Sequence, residues 1–166
     1  LQPRAASQGA EVLRVQGLSL PRLDPFGVDL QDIALSVRAG EIVGIAGVSG
    51  NGQQELMAAL SGEDRRAPPG SIRLGGQDIA RHSPRRRRHE GLHFVPEERL
   101  GRGAVPTLSL AQNTLLTRTG TVGPGGWIAP ARVRALAAGL IERFQVKAGG
   151  PDAAARSLSG GNLQKV

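Results

Sequence analysis

Apolar and polar positions alternate first between Glu11 and Leu18, where Val12, Leu13, Val15 and Leu18 sit among polar neighbours; this predicts a β-strand. Two prolines and a glycine make Pro21 to Val28 a loop. Ile33 to Val37 predicts a second strand, turned at Ala39-Gly40. Ile42-Val43-Gly44-Ile45-Ala46 is a continuous apolar run and predicts a buried strand. Glu55 to Leu60 predicts a helix that ends at Gly62.

Pro68-Pro69-Gly70 predicts a turn, Ser71 to Leu74 a short strand, and Gly75-Gly76 the turn after it. Ser83 followed by Pro84 predicts a capped helix start, and Gly91 its end. Leu92-His93-Phe94-Val95 predicts a buried strand stopped by Pro96. Helices are expected from about Ser109 to Thr117 and from Pro130 to about Phe144, the second with Val133, Leu136, Leu140 and Ile141 on one face. Gly120 to Gly126 reads as a glycine-rich connection, Gly149-Gly150-Pro151 as a further break, and Leu1 to Ala10 as a linker.

The chain has 166 residues, 39% hydrophobic and 21% charged, which suits a globular domain. With no cysteine it carries no disulfide, iron–sulfur cluster or cysteine-bound zinc. No apolar run approaches the ~20 residues of a membrane span and no secretory signal opens the chain, so a soluble, cytosolic protein is expected. The net charge is +7, nearly all arginine. A basic domain invites a nucleic-acid reading. Single-strand binding needs aromatic stacking platforms, however, and Phe26, Phe94, Trp127 and Phe144 are scattered. A basic surface fits a partner protein or an anionic membrane face equally well.

The chemistry concentrates in Gly47-Val48-Ser49-Gly50-Asn51-Gly52-Gln53-Gln54. A glycine loop between an apolar strand and a helix exposes N–H groups that cradle phosphates. A competent loop continues with Lys, which reaches the β- and γ-phosphates, and Ser or Thr, which holds Mg²⁺. Here both positions are Gln. Gln53 can hydrogen-bond but carries no charge, a loss of roughly 1.5–3 kcal/mol. Gln54 offers only a carbonyl oxygen on a longer side chain.

Two other patterns resolve differently. His89-Glu90-Gly91-Leu92-His93 matches the H-E-x-x-H of zinc peptidases, which requires both histidines on one helical face. Gly91 interrupts that helix, and a strand would separate the rings by roughly 13 Å. The match therefore reads as a helix stop followed by a core strand. His82 shows no partner. Arg85 to Arg88 occupy successive helix positions, so they radiate around it and read as a solvated face rather than a phosphate stripe.

The chain ends in Leu158-Ser159-Gly160-Gly161-Asn162-Leu163-Gln164-Lys165-Val166. This run, roughly a hundred residues after the glycine loop, makes a specific pair with it. The pair resembles the ATP-binding subunits of ABC transporters, whose Leu-Ser-Gly-Gly signature grips the γ-phosphate of ATP held by a facing module. The likeness covers nearly the whole chain. Leu35 to Ile45 resembles the strands leading into the loop. Phe94-Val95-Pro96-Glu97-Glu98-Arg99 resembles the Q-loop, with Glu97 in place of Gln. Leu100 to Gly103 and Ser109 to Asn113 resemble the segment that faces the permease. The lysine-free loop, Glu97 and Leu-Ser-Gly-Gly-Asn together resemble the second of two fused modules in importers of monosaccharides and nucleosides.

The resemblance implies an α/β P-loop NTPase core, incomplete, with an N-terminal antiparallel β region over 11–99 and a helical subdomain over 100–166. Gly47, Ser49, Gly50, Asn51, Gly52, Gln53 and Gln54 would contact ATP phosphates weakly. Ser159, Gly160, Gly161 and Asn162 would complete the site of the partner module. Glu97 would stand near the metal or attacking water. ATP and Mg²⁺ are the implied cofactors. The implied partners are a second ATP-binding module, permease subunits and, indirectly, a substrate-binding protein; no nucleic acid is expected. The setting would be the cytoplasmic face of the membrane. The Walker B aspartate, D-loop and switch histidine fall outside the sequence, so this chain alone is expected to be inactive. Phe26 is the nearest candidate to stack on adenine. The alternative is an ABC-type module acting on nucleic acid or ribosomes without a permease.

Overall fold

Why the first strand alternates imperfectly is visible in the backbone. In a computed structural model, which describes residues 9–118 and 127–165, β1 runs over Glu11–Leu20 and β2 over Leu30–Arg38. They pair antiparallel, with Val15 opposite Leu35, Leu18 opposite Ile33 and Leu20 opposite Leu30. The register shifts between Leu18 and Leu20, where Asp32 on β2 takes φ 47, and between Val15 and Leu18, where β1 bulges and Gly17 takes φ 62. The bulge adds one residue, so Val15, Leu18 and Leu20 all reach the core although their spacing is not strictly two.

β3 (Ile72–Leu74) pairs antiparallel with β1, and β4 (Gln77–Asp78) with β3 through the two-residue Gly75-Gly76 turn. Both glycines have positive φ, as a tight hairpin of this length demands. The sheet order is β2-β1-β3-β4. Helix α1 (Gln53–Ser61) places Leu56, Ala59 and Leu60 on one stripe that packs with Val15, Leu18, Leu30, Ile72 and Ile79. It ends at Gly62, in the left-handed conformation at φ 85, as the sequence predicts. Helix α2 (Pro84–His89) starts with Ser83 Oγ accepting from the Arg86 N–H.

The chain divides into two compact units between His93 and Phe94. In the second, α3 (Leu110–Leu116) opens on a capping box of Ser109 and Gln112. Helix α4 (Pro130–Arg143) buries Val133 and Ala137 against Ala111, with Leu115 beside them. A 3-10 turn (Ala155–Ser157) and the one-turn α5 (Gly160–Leu163) follow. The glycine-rich connection expected over Gly120 to Gly126 lies outside the described residues.

Four expectations are corrected. Ile42 to Ala46 is not a strand: it is irregular, with Ile42 96% and Ile45 56% exposed. Leu92 to Val95 is not a strand either; Leu92 packs on the first unit's core, but Val95 is 73% exposed. The reason is shared. A continuous apolar run forms a strand only where neighbouring strands accept its hydrogen bonds and layers cover both faces. Among the described residues no ladder reaches either run.

Third, the arginine run is not a uniformly solvated face. Arg87 is buried, with 1% exposure. Its Nη1 donates to the carbonyls of Ala59 (2.5 Å) and Leu60 (2.7 Å), Nη2 to Ala80 (2.8 Å) and Nε to His82 (3.1 Å). Two of these are orphan carbonyls of the last turn of α1, where a cation also meets the negative helix end. Burial lowers the Arg87 pKa, opposed by the charges of Glu90 and Asp78. Fourth, His82 has a partner: its Nδ1 lies 2.9 Å from Glu90 Oε2.

Candidate functional site

The glycine loop begins where the irregular run ends. Gly47, Ser49, Gly50 and Asn51 are exposed, and Gly50 and Gly52 have φ values of 88 and 94. Gly52 is the N-cap of α1; its carbonyl accepts the first helical bond, from the Leu56 N–H at 2.9 Å. It is also the buried member of the loop, and a Cβ there would meet Leu30 Cδ2 at 3.3 Å. The left-handed conformation favours glycine, and a larger residue would also crowd Leu30.

Gln53 does not extend away from the loop. Its Nε2 donates to the Val48 carbonyl at 2.9 Å, and its Oε1 accepts from the Asn51 N–H at 3.0 Å. Gln54 points to the surface. Glu55, in the first turn of α1, accepts from the Val28 N–H at 3.0 Å and so tethers the Pro21–Val28 loop to the phosphate-loop helix. Phe26, on that tethered loop, is 98% exposed.

In the second unit, Glu97 is exposed on irregular chain before a tight turn closed by Gly101 N–H to the Ala104 carbonyl (2.8 Å). Ser159 caps α5, and its Oγ accepts from Asn162 Nδ2 at 3.0 Å, leaving the hydroxyl proton to donate elsewhere. Asn162 Oδ1 accepts from the Lys147 N–H at 3.1 Å. The Asn162 carboxamide thus fixes the signature turn to the chain after α4. Gly161 is exposed; at Gly160 a Cβ would lie 3.0 Å from Arg99 Cζ, so the Arg99 guanidinium rests on the signature.

Three of these placements are missed by sequence reasoning: the inward Gln53, the Arg99–Gly160 contact and the buried Asn113. Asn113 Oδ1 accepts from the Val105 N–H (2.8 Å), and its Nδ2 donates to the carbonyls of Val105, Leu108 and Ser109. Only the i, i+4 relation of Ser109 and Asn113 is visible in the sequence. The H-E-x-x-H residues are not gathered on a helix. His89 ends α2, Gly91 turns the chain at φ 95, and Glu90 is engaged by His82 and by Arg86 Nε at 3.1 Å.

The site thus comprises a left-handed glycine at the start of α1, a loop whose Asn51 N–H is taken by Gln53, and a Ser-Gly-Gly turn opened by Ser159. The ABC transporter family model matches residues 30–166, and the chain belongs to that family. It is 43% identical to the ribose import ATP-binding protein RbsA of Pseudomonas putida, over 100% of this chain and 31% of that protein. It is 38% identical to the guanosine import ATP-binding protein NupO of Bacillus subtilis, over 99% of this chain and 32% of that one. The chain thus spans about a third of the length of these curated relatives. A crystal structure of an ABC transporter's ATP-binding cassette in its ADP conformation superposes with a TM-score of 0.67 at 20% identity, over 94% of this chain and 63% of that one. The fold is an incomplete P-loop ABC core.

Proposed function

We propose that the chain is the ATP-binding module of an importer for nucleosides or simple sugars, and the second of two modules fused in one polypeptide. It binds ATP weakly at its own loop and completes the hydrolytic site of its partner module. The observation that carries this reading is the asymmetry of the two motifs. The glycine loop keeps its backbone shape at Gly50 and Gly52 while Gln53 and Gln54 replace both charged or metal-facing groups. The signature is intact, and Asn162 holds it in a defined turn.

The loop offers a phosphate an open approach at Gly50, where a Cβ would meet nothing within 4 Å. Among the described residues no group of three or more His, Asp or Glu gathers to hold a metal ion. Mg²⁺ would be held chiefly through the nucleotide's phosphates and water, where it would neutralise phosphate charge. Phe26, exposed on the loop tethered by Glu55, would stack on adenine. Glu97 would act near the attacking water of the site. Ser159, Gly160 and Gly161 would meet the partner's ATP, with Arg99 adding a positive charge beside them.

The import function follows the names of the relatives, ribose and guanosine import proteins. It implies permease subunits and a substrate-binding protein as partners and a position at the cytoplasmic membrane face. No described helix is long and apolar enough to cross a membrane. The test is ATPase activity. The chain alone should show no turnover above background. In the intact tandem protein, Ser159→Ala should lower transport-coupled hydrolysis by about tenfold or more, the scale of one lost charge-assisted bond. Turnover by the isolated chain would contradict this reading.

A further inference from the structure

Lysine and glutamine differ at the glycine loop by more than a charge. Lysine has donors and no acceptor, so it can hold a loop carbonyl while leaving the loop's N–H groups open to an anion. Glutamine has both. Gln53 uses both inside the loop: Nε2 donates to the Val48 carbonyl at 2.9 Å, and Oε1 takes the Asn51 N–H at 3.0 Å. The carboxamide also lies over Gly47, where a Cβ would come within 2.7 Å of Nε2. A phosphate oxygen binding in such a loop would need the same kind of backbone N–H that Oε1 already engages.

We propose that Gln53 is a built-in occupant of the phosphate loop: it holds the loop in its formed shape without nucleotide and competes with a phosphate oxygen for the Asn51 N–H. The substitution for lysine then weakens the site twice, by removing a cation and by adding an internal acceptor. The proposal rests on the loop being a phosphate site, as proposed above, and assigns its regulation to one side chain. Nucleotide binds only after the Gln53 carboxamide swings out, exchanging two neutral hydrogen bonds for contacts to the ligand.

The experiment compares wild-type chain with Gln53→Ala and Gln53→Glu. One readout is hydrogen exchange at the Asn51 amide without nucleotide. The other is titration with a fluorescent ATP analogue and Mg²⁺. Melting curves check that each variant folds. Gln53→Ala should speed Asn51 exchange and bind the analogue about three- to tenfold more tightly, the scale of one or two released neutral bonds. Gln53→Glu, which keeps the acceptor and adds negative charge, should leave Asn51 protected and weaken binding. Equal or weaker binding by Gln53→Ala overturns the competition, because Gln53 would then be neutral or a phosphate ligand. Asn51 exchange unchanged by Gln53→Ala overturns the occupancy. If Gln53→Lys with Gln54→Ser also fails to bind, the phosphate-site reading itself falls; the exchange readout still decides whether Gln53 holds the loop.

Discussion

At Gly52 one residue meets three demands. It turns the chain at φ 94, caps α1, and leaves room for Leu30. An alanine there must adopt the left-handed conformation, at about 1–2 kcal/mol. It must also press on Leu30 Cδ2 at 3.3 Å. Gly52→Ala should therefore lower stability by about 2 kcal/mol, read as a reduced midpoint in urea unfolding with unchanged slope. Asn113 is the counterpart in the second unit. Its carboxamide accepts from the Val105 N–H and shares its two amide hydrogens among three nearby carbonyls, so Asn113→Ala should cost about 1–3 kcal/mol, read the same way. The sequence discloses the glycine, because its place in a G-x-x-x-x-G pattern has a mechanism. It does not disclose the asparagine, because a buried amide and an exposed one are spelled alike.

Helices α1 and α2 are joined by charge placed inside the unit rather than on its surface. Arg87 supplies donors to carbonyls on both sides of the junction, and these have no other described side-chain donor. Arg87→Met keeps the length and removes every donor. It should destabilise by about 3 kcal/mol, measurable by thermal melting, and loosen the C-terminal turn of α1. Glu90 gives a pH signature to the same junction. Its hydrogen bond from His82, aided by Arg86, holds its carboxyl below the ordinary carboxylate value. A depressed folded pKa contributes stability above the unfolded value, about 4.3, and that contribution is lost as pH falls through the folded value. Glu90→Gln should accordingly melt below wild type at pH 6, and the two should converge as pH drops below 4. A gap that persists undiminished at low pH would assign Glu90 a role other than its charge.

Across the whole molecule, the exposed apolar run before the glycine loop has consequences for solution behaviour. Ile42, Ile45 and Val48 are 96%, 56% and 75% exposed, on backbone that pairs with no described strand. Such a segment is a template for edge pairing between copies. The isolated chain should self-associate as its concentration rises, seen by light scattering. Ile42→Lys with Ile45→Lys should suppress this without shifting the unfolding midpoint by more than about 0.5 kcal/mol, because neither side chain contributes to the core.

Local chemistry by itself determined a large part of this protein. The β1 and β2 strands, the Gly75-Gly76 hairpin, the capped starts of α2 and α3, the glycine stop of α1 and the apolar face of α4 all follow from alternation, caps and turns. Each of these depends on residues close in sequence. The helix that follows the glycine loop was legible for the same reason, whereas the strand expected before that loop was not formed. Tertiary structure decided what depends on distant partners: that the Ile42 and Leu92 runs remain irregular, since strands need ladders, and that Arg87 and Asn113 go inside, since buried carbonyls need donors. It also decided that Gln53 bends back to satisfy its own loop, because the orientation of a side chain is set by the groups that surround it.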